Sequence, residues 1–302
     1  MIAIISHDAG GAEILSSWIR QNKEPYCLVL SGPAISIFKQ KLGIIEIYSL
    51  ADAIEMSDWI LCGTSWQSDL EKQAIFQAKA VGKKVIAYLD HWVDYLERFK
   101  LSNQTVLPDE IWVGDLDAKN IAQKIFLSTK VLLVPNPYFK DLQAEIRSIK
   151  SSRNHSEFYC ILYVCEPIRE HGFLSYGNEY YWGYTEESAL QFFLENMNAL
   201  GAPVDKITIR PHPSENQNKY NWAKQECSLI EEVGSPKSLI EEILEADVVV
   251  GCQSMAMVVG LLAKKRVISS IPPGGKACEL PQVEIEHLQS LIKKYRETFN
   301  AL

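Results

Sequence analysis

The sequence predicts an α/β protein built from two doubly wound parallel sheets, and three observations carry this prediction. Short apolar runs alternate with segments of helical periodicity along the whole chain. The strand-like runs show little polar alternation, which is typical of parallel strands covered by helices on both faces. The 302 residues suffice for two domains of roughly 100–200 residues each.

The amino-terminal half contains the first series of elements. Its predicted strands are Ile2–Ile5, Tyr26–Leu30, Trp59–Leu61, Lys84–Tyr88, Glu110–Val113 and Val131–Val134. Its predicted helices are Ala12–Arg20 and Asp69–Val81, and in the second of these the apolar residues recur at three- and four-residue spacing. Strands separated by such helices indicate one parallel sheet.

The composition of the sequence changes after the sixth predicted strand. Pro135-Asn136-Pro137 interrupts regular structure, and the residues from Lys140 to Ser156 are polar and charged. We therefore expect an amino-terminal domain over 1–140, a linker over 141–156 and a carboxyl-terminal domain over 157–302.

The second half repeats the alternation. Its predicted strands are Phe158–Val164, Lys206–Ile209, Asp247–Val250 and Arg266–Ser269, and its predicted helices are Glu187–Leu200, Pro236–Glu245, Ser254–Ala263 and Val283–Phe299. Two similar halves predict two Rossmann-like domains facing a cleft. In such sheets ligands bind beyond the carboxyl ends of the strands, so the loops after the strands are the candidate sites.

Composition and charge exclude several classes of protein. The 30 basic and 38 acidic residues give a formal charge of -8, which argues against bulk attraction to nucleic acid or an anionic membrane. The sequence shows neither a secretion signal nor a run of ~18 apolar residues. The seven cysteines are scattered and form no CxxC pair, so disulfide and zinc frameworks are poorly supported. We expect a cytoplasmic protein, at most peripheral to the inner face of a membrane.

The loop after the first predicted strand carries His7, Asp8, Gly10 and Gly11. The two glycines predict a tight turn that admits a ligand at the start of the next helix. Either His7 or Asp8 could accept a proton from a substrate hydroxyl. In the alternative interpretation, Asp8 caps the helix and His7 is a surface residue. The spacing departs from GxGxxG, which disfavours a nicotinamide cofactor.

A second loop combines acidic, imidazole and aromatic side chains. Asp90, His91 and Trp92 directly follow a predicted strand. Aromatic rings stack on sugar faces and carboxylates accept hydroxyl protons, so this loop suits sugar recognition. The alternative is a loop packed by Trp92, with acids in solvent. A metal site built from Asp90, His91 and Asp94 is a weaker interpretation.

The most informative loop is Arg210-Pro211-His212-Pro213. Two prolines end the preceding strand and restrict the backbone of His212. Arg210 can bind a phosphate or carboxylate through two hydrogen bonds, and His212 can donate to a phosphate oxygen. This combination predicts an anion site at the end of a strand.

Two further strand ends are candidates in this half. Gln253-Ser254-Met255 leads into a helix, where the Ser254 hydroxyl and the following N–H groups could bind an anion without a metal. The alternative is an ordinary helix cap. Glu166 follows the first strand of this half, where it either enters the site or lies in a surface turn.

With these motifs the chain resembles GT-B glycosyltransferases, and it is most similar to bacterial sialyltransferase, polysialyltransferase and Kdo-transferase-like enzymes. Arg210-Pro211-His212-Pro213 matches their His-Pro motif, and Gln253-Ser254 stands where they carry a serine motif. Gln253 replaces one serine of that pair. Val134-Pro135-Asn136-Pro137 resembles the Asn-Pro that often closes the first GT-B domain.

The resemblance implies an inverting, metal-independent glycosyltransferase of surface polysaccharide assembly that uses no cofactor. The implied donor is a CMP-linked acidic sugar, and the implied acceptor is a glycan or lipid-linked glycan. His212 and Ser254 would bind the donor phosphate, and Asp8 would be the general base, with His7 and His91 as rivals. The other implied donor-side residues are Arg210, Gln253, Met255, Glu166 and Ser235. The implied acceptor-side residues are Gly10, Gly11, Asp90 and Trp92.

Two other interpretations of the sequence stay open. A sugar-nucleotide hydrolase or 2-epimerase of the same architecture would keep the donor pocket and need no acceptor. A catalytically inactive binding module would keep its activity in the cell when His212 is replaced by alanine. Turnover of a donor in the absence of acceptor separates the first of these from a transferase.

Overall fold

The computed structural model describes residues 1–65, 68–149 and 157–299. The chain divides into one unit over residues 1–141 and a second unit over residues 142–302. Each unit contains a six-stranded sheet in which every pairing is parallel, and helices connect the strands. The prediction of two parallel α/β domains is therefore confirmed.

The first sheet has the strand order β2-β1-β3-β4-β7-β8. Its strands are β1 (Ile2–Ser6), β2 (Tyr26–Leu30), β3 (Trp59–Cys62), β4 (Lys84–Leu89), β7 (Glu110–Val113) and β8 (Lys130–Leu133). A separate antiparallel pair consists of β5 (Lys100–Leu101) and β6 (Gln104–Thr105). The helices are α1 (Ala9–Gln21), α2 (Ala34–Leu42), α3 (Leu50–Met56), α4 (Leu70–Ala80), α5 (Leu116–Ile125) and α6 (Pro137–Ser148), with a 3₁₀ turn at Glu97–Phe99.

The core of the first unit explains the absence of polar alternation in its strands. All five residues of β1 are buried, because the strand lies inside the sheet and helices cover both of its faces. Trp18 on α1 contacts Trp59 and Trp112, with ring centroids 6.2 and 6.1 Å away. This aromatic cluster joins α1 to β3 and β7.

The second sheet has the strand order β11-β10-β9-β12-β13-β14. Its strands are β9 (Tyr159–Val164), β10 (Val204–Arg210), β11 (Ile230–Val233), β12 (Val248–Gly251), β13 (Arg266–Ser269) and β14 (Ile285–His287). The helices are α7 (Ile168–Tyr176), α8 (Glu186–Glu195), α9 (Ala223–Glu226), α10 (Leu239–Glu245), α11 (Met255–Leu262) and α12 (Leu288–Phe299), with a 3₁₀ turn at Met197–Leu200.

Two helix starts in this unit differ from the prediction. Residues Ile285–His287 pair with β13 as an outer strand, so the last helix begins at Leu288 and not at Val283. The helix expected from Pro236 begins at Leu239, because Ser238 and Glu241 form its capping box. Both corrections move a predicted helix start toward the carboxyl terminus.

The expected linker also differs from the structure. Pro137 begins α6, which continues to Ser148, and residues 150–156 of the expected linker lie outside the described residues. Asn136 Oδ1 accepts the Tyr138 N–H at 2.9 Å. Asn136 thereby caps a helix that has proline at its first position, so this segment separates β8 from a helix that the sequence analysis did not predict.

Within residues 1–65, 68–149 and 157–299, we find no helix that is both long and apolar enough to span a bilayer.

Candidate functional site

Strand order brings several of the predicted site residues to the same end of each sheet. In the second sheet β9 lies between β10 and β12. Glu166, His212 and Ser254 follow these three strands closely, and parallel strands end on the same side of a sheet. In the first sheet the loops after β1, β3 and β4 carry Asp8, Thr64 and Asp90 by the same rule.

The backbone and ring of His212 are both held by the residues that follow it. Glu215 Oε2 accepts the His212 N–H at 2.9 Å. Ser214 Oγ lies 2.8 Å from His212 Nδ1. Burial lowers the pKa of His212 below its ordinary value, so the imidazole is neutral at physiological pH. The His212 loop is a preformed structure.

A buried ionic network supports this loop. Glu215 has a side chain only 2% exposed, and its Oε1 accepts from Tyr220 Oη at 2.8 Å and from Lys219 Nζ at 2.7 Å. Lys219 also pairs with buried Glu186, which accepts the Arg169 N–H at 2.9 Å. The network joins the His212 loop to the starts of α7 and α8. Its signal in the sequence is an acid two residues after the motif and a lysine four residues beyond that acid, which the sequence analysis did not use.

Arg210, predicted as a phosphate ligand, makes structural contacts within its own unit. Ile209 packs into the core, so the alternation of a strand places Arg210 on the opposite face. Its guanidinium pairs with buried Glu242 and donates to the Lys237 carbonyl at 3.1 Å. Ser235 accepts the Lys237 N–H at 3.2 Å and belongs to the same turn. These contacts join β10 to α10.

The loop before α11 leaves one hydroxyl group without a partner. Glu166 Oε1 accepts the N–H groups of Cys252 at 3.0 Å and Gln253 at 2.7 Å. Ser254 occupies the N-cap position before Met255, yet its side chain makes no cap hydrogen bond. The Ser254 Oγ is buried and has no hydrogen-bond partner. A buried polar group of this kind is costly unless something binds it.

The carboxyl group of Glu166 has a pKa well above that of an ordinary glutamate. Burial raises the pKa of Glu166 to about 7, although the backbone N–H groups of Gln253 and Cys252 act in the opposite direction. The group therefore carries a proton in about half of the molecules near neutral pH. An anion bound in this loop would meet less than a full negative charge on Glu166.

In the first unit the side chains of the two candidate bases, His7 and Asp8, are in direct contact. His7 Nδ1 lies 2.6 Å from Asp8 Oδ1, and both side chains are about one-fifth exposed. Asp8 precedes α1 but caps none of its N–H groups. A carboxylate that accepts a hydrogen bond from Nδ1–H leaves Nε2 able to accept a proton. His7 Nε2 lies beside Gly32, where an added Cβ would stand 2.6 Å from it.

Glu71 supports this pair from α4, and the sequence analysis did not identify it. Its Oε1 accepts the His7 N–H at 2.6 Å, while its Oε2 is buried without a partner. The residue is 1% exposed. Burial, together with a smaller effect of the nearby Asp8 carboxylate, raises the pKa of Glu71 to about 7. Glu71 is thus a buried acid that ionises near neutral pH.

We expect Glu71→Gln to reduce the pH dependence of stability. The folded-state pKa of about 7 lies above the ordinary glutamate value of 4.5, so the stability that protonated Glu71 contributes is lost as pH rises through 7. The variant should therefore be more stable than the wild type by about 1–3 kcal/mol at about pH 8, and this advantage should vanish near pH 5. Urea unfolding across this range measures the difference.

Glu55→Gln is the matched control, because Glu55 is an exposed glutamate on α3 of the same unit. It should follow the wild-type curve at every pH. An identical pH dependence in the wild type and Glu71→Gln would contradict the assignment of a buried, ionising Glu71.

Gly10 and Gly11 lie in the first turn of α1 and not in the expected tight turn. A Cβ on Gly10 would stand 2.0 Å from Asp90 Oδ2. A Cβ on Gly11 would stand 3.3 Å from the Gly63 Cα. The glycines therefore let α1 pack closely against the loops after β3 and β4. Asp90, and not a ligand, occupies the space beside Gly10.

Asp90 itself forms a buried ion pair. Arg98 Nη1 donates to Asp90 Oδ1 at 2.8 Å, and Thr64 Oγ1 donates to the same oxygen at 3.2 Å. The side chains of Arg98 and Asp90 are 6% and 10% exposed. Asp90, predicted as an acceptor-side residue, anchors the loop after β4 to the loop after β3.

Trp92 is also part of the loop's packing. It is 6% exposed, and its Nε1 donates to Asp115 Oδ2 at 3.0 Å. Its ring contacts His91 at a centroid distance of 5.5 Å. The alternative interpretation of this loop, in which Trp92 packs it, matches the structure better than a ring exposed for stacking on a sugar.

Among the residues that the structure describes, no three or more His, Cys, Asp or Glu side chains are grouped so as to hold a metal ion.

The sheet order and the comparisons with solved structures define a two-domain Rossmann-like fold of the GT-B type. The sequence matches no protein-family model and no curated protein. UDP-GlcNAc 2-epimerase from Neisseria meningitidis, bound to UDP-GlcNAc, is similar with a TM-score of 0.60 and 12% identity, over 99% of this chain and 91% of that chain.

Two other solved structures share this architecture. HepE from Anabaena, in complex with UDP and glucose, has a TM-score of 0.55 and 10% identity, over 100% of this chain and 99% of that chain. MurG from Acinetobacter baumannii has a TM-score of 0.52 and 10% identity, over 99% of this chain and 90% of that chain. At these identities the likeness establishes the fold.

Proposed function

We propose that the protein is a nucleotide-sugar-dependent glycosyltransferase whose second unit binds the donor. The observation that carries the proposal is the unpartnered Ser254 hydroxyl, which lies at the same end of the second sheet as His212. The comparisons support it, because the similar Neisseria and Anabaena proteins were solved with UDP-GlcNAc and with UDP and glucose.

The donor phosphate would be bound by neutral hydrogen-bond donors. The Ser254 hydroxyl, the first N–H groups of α11 and the His212 ring are the groups proposed for this role. Helix N-termini favour anions through their free N–H groups and the helix dipole. Donors fixed toward the phosphate stabilise the charge that develops as the sugar–phosphate bond breaks. These groups would allow the reaction to proceed without a divalent cation.

The base would come from the first unit. We assign proton acceptance to His7 Nε2, with Asp8 holding Nδ1–H and stabilising the imidazolium. In the proposed inverting step, the acceptor oxygen bonds to the anomeric carbon as its proton passes to His7. The electron pair of the breaking carbon–oxygen bond leaves with the nucleotide phosphate. This assignment makes Asp8 the partner of the base, whereas the resemblance implied Asp8 as the base.

The proposed donor nucleotide carries a pyrimidine base. The sequence resemblance implies a CMP-linked acidic sugar, and the similar solved structures contain uridine nucleotides. The proposed acceptor is a glycan or lipid-linked glycan of surface polysaccharide assembly, as the resemblance implies.

A thermal-shift panel of CMP, CDP, UDP and GDP tests donor binding. A ligand that binds the folded state stabilises it by about 2.7 kcal/mol at 100 times its Kd. We expect a pyrimidine nucleotide to raise the Tm, and GDP to have little effect. Ser254→Ala should reduce the shift, while the exposed control Ser228→Ala should not. If neither these nucleotides nor their sugar conjugates change the Tm, the proposal is wrong.

A UDP-sugar 2-epimerase is the second candidate, because the similar structures include the Neisseria enzyme of that name. The two candidates differ in their need for an acceptor. An epimerase converts its sugar nucleotide at C2 without acceptor and releases no net nucleotide. A transferase releases nucleotide and requires the acceptor for rapid turnover. Incubation of the stabilising sugar nucleotide with and without acceptor separates them.

A further inference from the structure

The hydrogen bonds to the ring of His212 constrain which of its nitrogens carries a proton. The Ser214 N–H donates to His212 Nδ1 at 3.3 Å, and Ser214 Oγ lies 2.8 Å from the same nitrogen. A hydroxyl group can donate or accept, but a backbone N–H can only donate. A proton on Nδ1 would therefore face the Ser214 N–H directly. The arrangement requires Nδ1 to be the acceptor.

The charge on the ring follows from its surroundings. Burial lowers the pKa of His212 below its ordinary value, and the neighbouring His171 acts in the same direction. The carboxylates of Glu215 and Glu170 oppose this shift without cancelling it. At neutral pH the ring therefore has one proton, and when Nδ1 is an acceptor that proton is on Nε2.

We propose that Ser214 is a positioning residue that fixes the neutral Nε2–H tautomer of His212. The ring then offers one N–H donor at Nε2 and cannot accept a proton there. His212 would bind an anionic oxygen by donating a neutral hydrogen bond, and it would be neither a cation nor a general base. The link to a donor phosphate rests on the proposed function, whereas the tautomer itself does not.

The same short segment also fixes the backbone that carries the ring. Pro211 and Pro213 restrict the backbone on both sides of His212. Glu215 accepts the His212 N–H at 2.9 Å. Ring orientation, tautomer and backbone are thus set by five consecutive residues, 211–215, before any ligand binds. Such preorganisation lowers the cost of reorganisation at the moment of reaction.

Nuclear magnetic resonance of the ¹⁵N-labelled full chain tests the tautomer without an activity assay. Long-range ¹H–¹⁵N spectra distinguish protonated from unprotonated ring nitrogens. The chain has six histidines, and His212→Gln identifies the His212 signals by their loss. We expect an unprotonated Nδ1 and a protonated Nε2 in the wild type. Ser214→Ala removes the hydroxyl contact to Nδ1 and keeps the weaker backbone N–H contact, so it should move these signals part of the way toward a mixture of tautomers. The exposed control Ser228→Ala should leave them unchanged.

Two results would overturn the proposal. One is a proton on His212 Nδ1 in the wild type, which would make the ring a donor to Ser214 Oγ. The other is an unchanged spectrum in Ser214→Ala, which would show that the backbone N–H alone sets the tautomer and that the Ser214 side chain has no part in it. A chain with the expected spectra that binds no nucleotide would refute the proposed function and leave the tautomer assignment intact.

A binding measurement connects the tautomer to the ligand. Loss of one hydrogen bond costs about 0.5–1.5 kcal/mol, so Ser214→Ala should weaken binding of the stabilising nucleotide about 2- to 10-fold. His212→Gln keeps an N–H donor and should bind more tightly than His212→Ala. Equal affinity of these two variants would contradict a hydrogen-bond donor role for His212.

Discussion

Replacing His212 with alanine is expected to slow turnover of the sugar nucleotide roughly 100-fold or more. The variant removes an N–H donor that the 212–215 segment holds in place before ligand binding. A fixed donor of this kind stabilises the charge on the departing phosphate, and no water molecule can replace it without reorganising. Release of nucleotide from the donor that stabilises the wild type, in the presence of acceptor, measures the effect.

His287→Ala is the matched control for this loss. His287 is an exposed histidine at the end of the outer strand β14 of the same unit, and its replacement should leave turnover close to that of the wild type. Unfolding of both variants by urea should show similar midpoints, so that lost turnover is not lost folding. Wild-type turnover in His212→Ala would refute the proposed donor site.

Replacing Glu215 with alanine is expected to destabilise the protein by about 3–5 kcal/mol. The variant leaves the His212 N–H, the Tyr220 hydroxyl and the Lys219 ammonium without their shared acceptor. Lys219 would keep only its ion pairs with Glu186 and Glu187. Buried donors that lose their partner cost the full desolvation free energy of the group. The change in urea midpoint of the full chain measures the loss.

Glu226→Ala provides the comparison, because Glu226 is an exposed glutamate on α9 nearby in the sequence. Its replacement should change stability by less than about 0.5 kcal/mol. A loss below about 1 kcal/mol in Glu215→Ala would show that the network around Lys219 contributes little, and that the His212 loop is held in some other way.

The strands were predictable because each is a short apolar run between turns. Tyr26–Leu30, Glu110–Val113 and Arg266–Ser269 have the same bounds in the structure as in the prediction. The outer strands β11 and β14 were missed. Each is only three or four residues long and contains acidic or polar residues, and short polar strands carry little periodic signal.

The positions of the site residues were predictable from the sequence, but their hydrogen-bond partners were not. Strand ends located the loops of His7, Asp90, His212 and Ser254. Their contacts come from residues far along the chain: Glu71 lies 64 residues from His7, and Glu166 lies 86 residues from Cys252. Local patterns cannot reveal such contacts, because they arise from the packing of the sheet.

The direction of the Arg210 side chain could also be predicted from the alternation of residues along a strand. Arg210 follows Ile209 in a strand, and adjacent residues of a strand face opposite sides of the sheet. If Ile209 is in the core, Arg210 must face the helices on the other side, where it meets Glu242. The alternation does not apply to His212, because it lies beyond the end of the strand, after Pro211.

The buried pair of Asp90 and Arg98 has a consequence for mutagenesis of the first unit. If one of the two side chains is removed, the other is left as an unpaired charge in a poorly hydrated environment. Replacing one of these residues by alanine would therefore disrupt the structure of the loop. The resulting loss of activity could then be misread as a defect in ligand recognition. Paired replacement of both residues by neutral side chains of similar size separates the two effects, because it removes the opposing charges together.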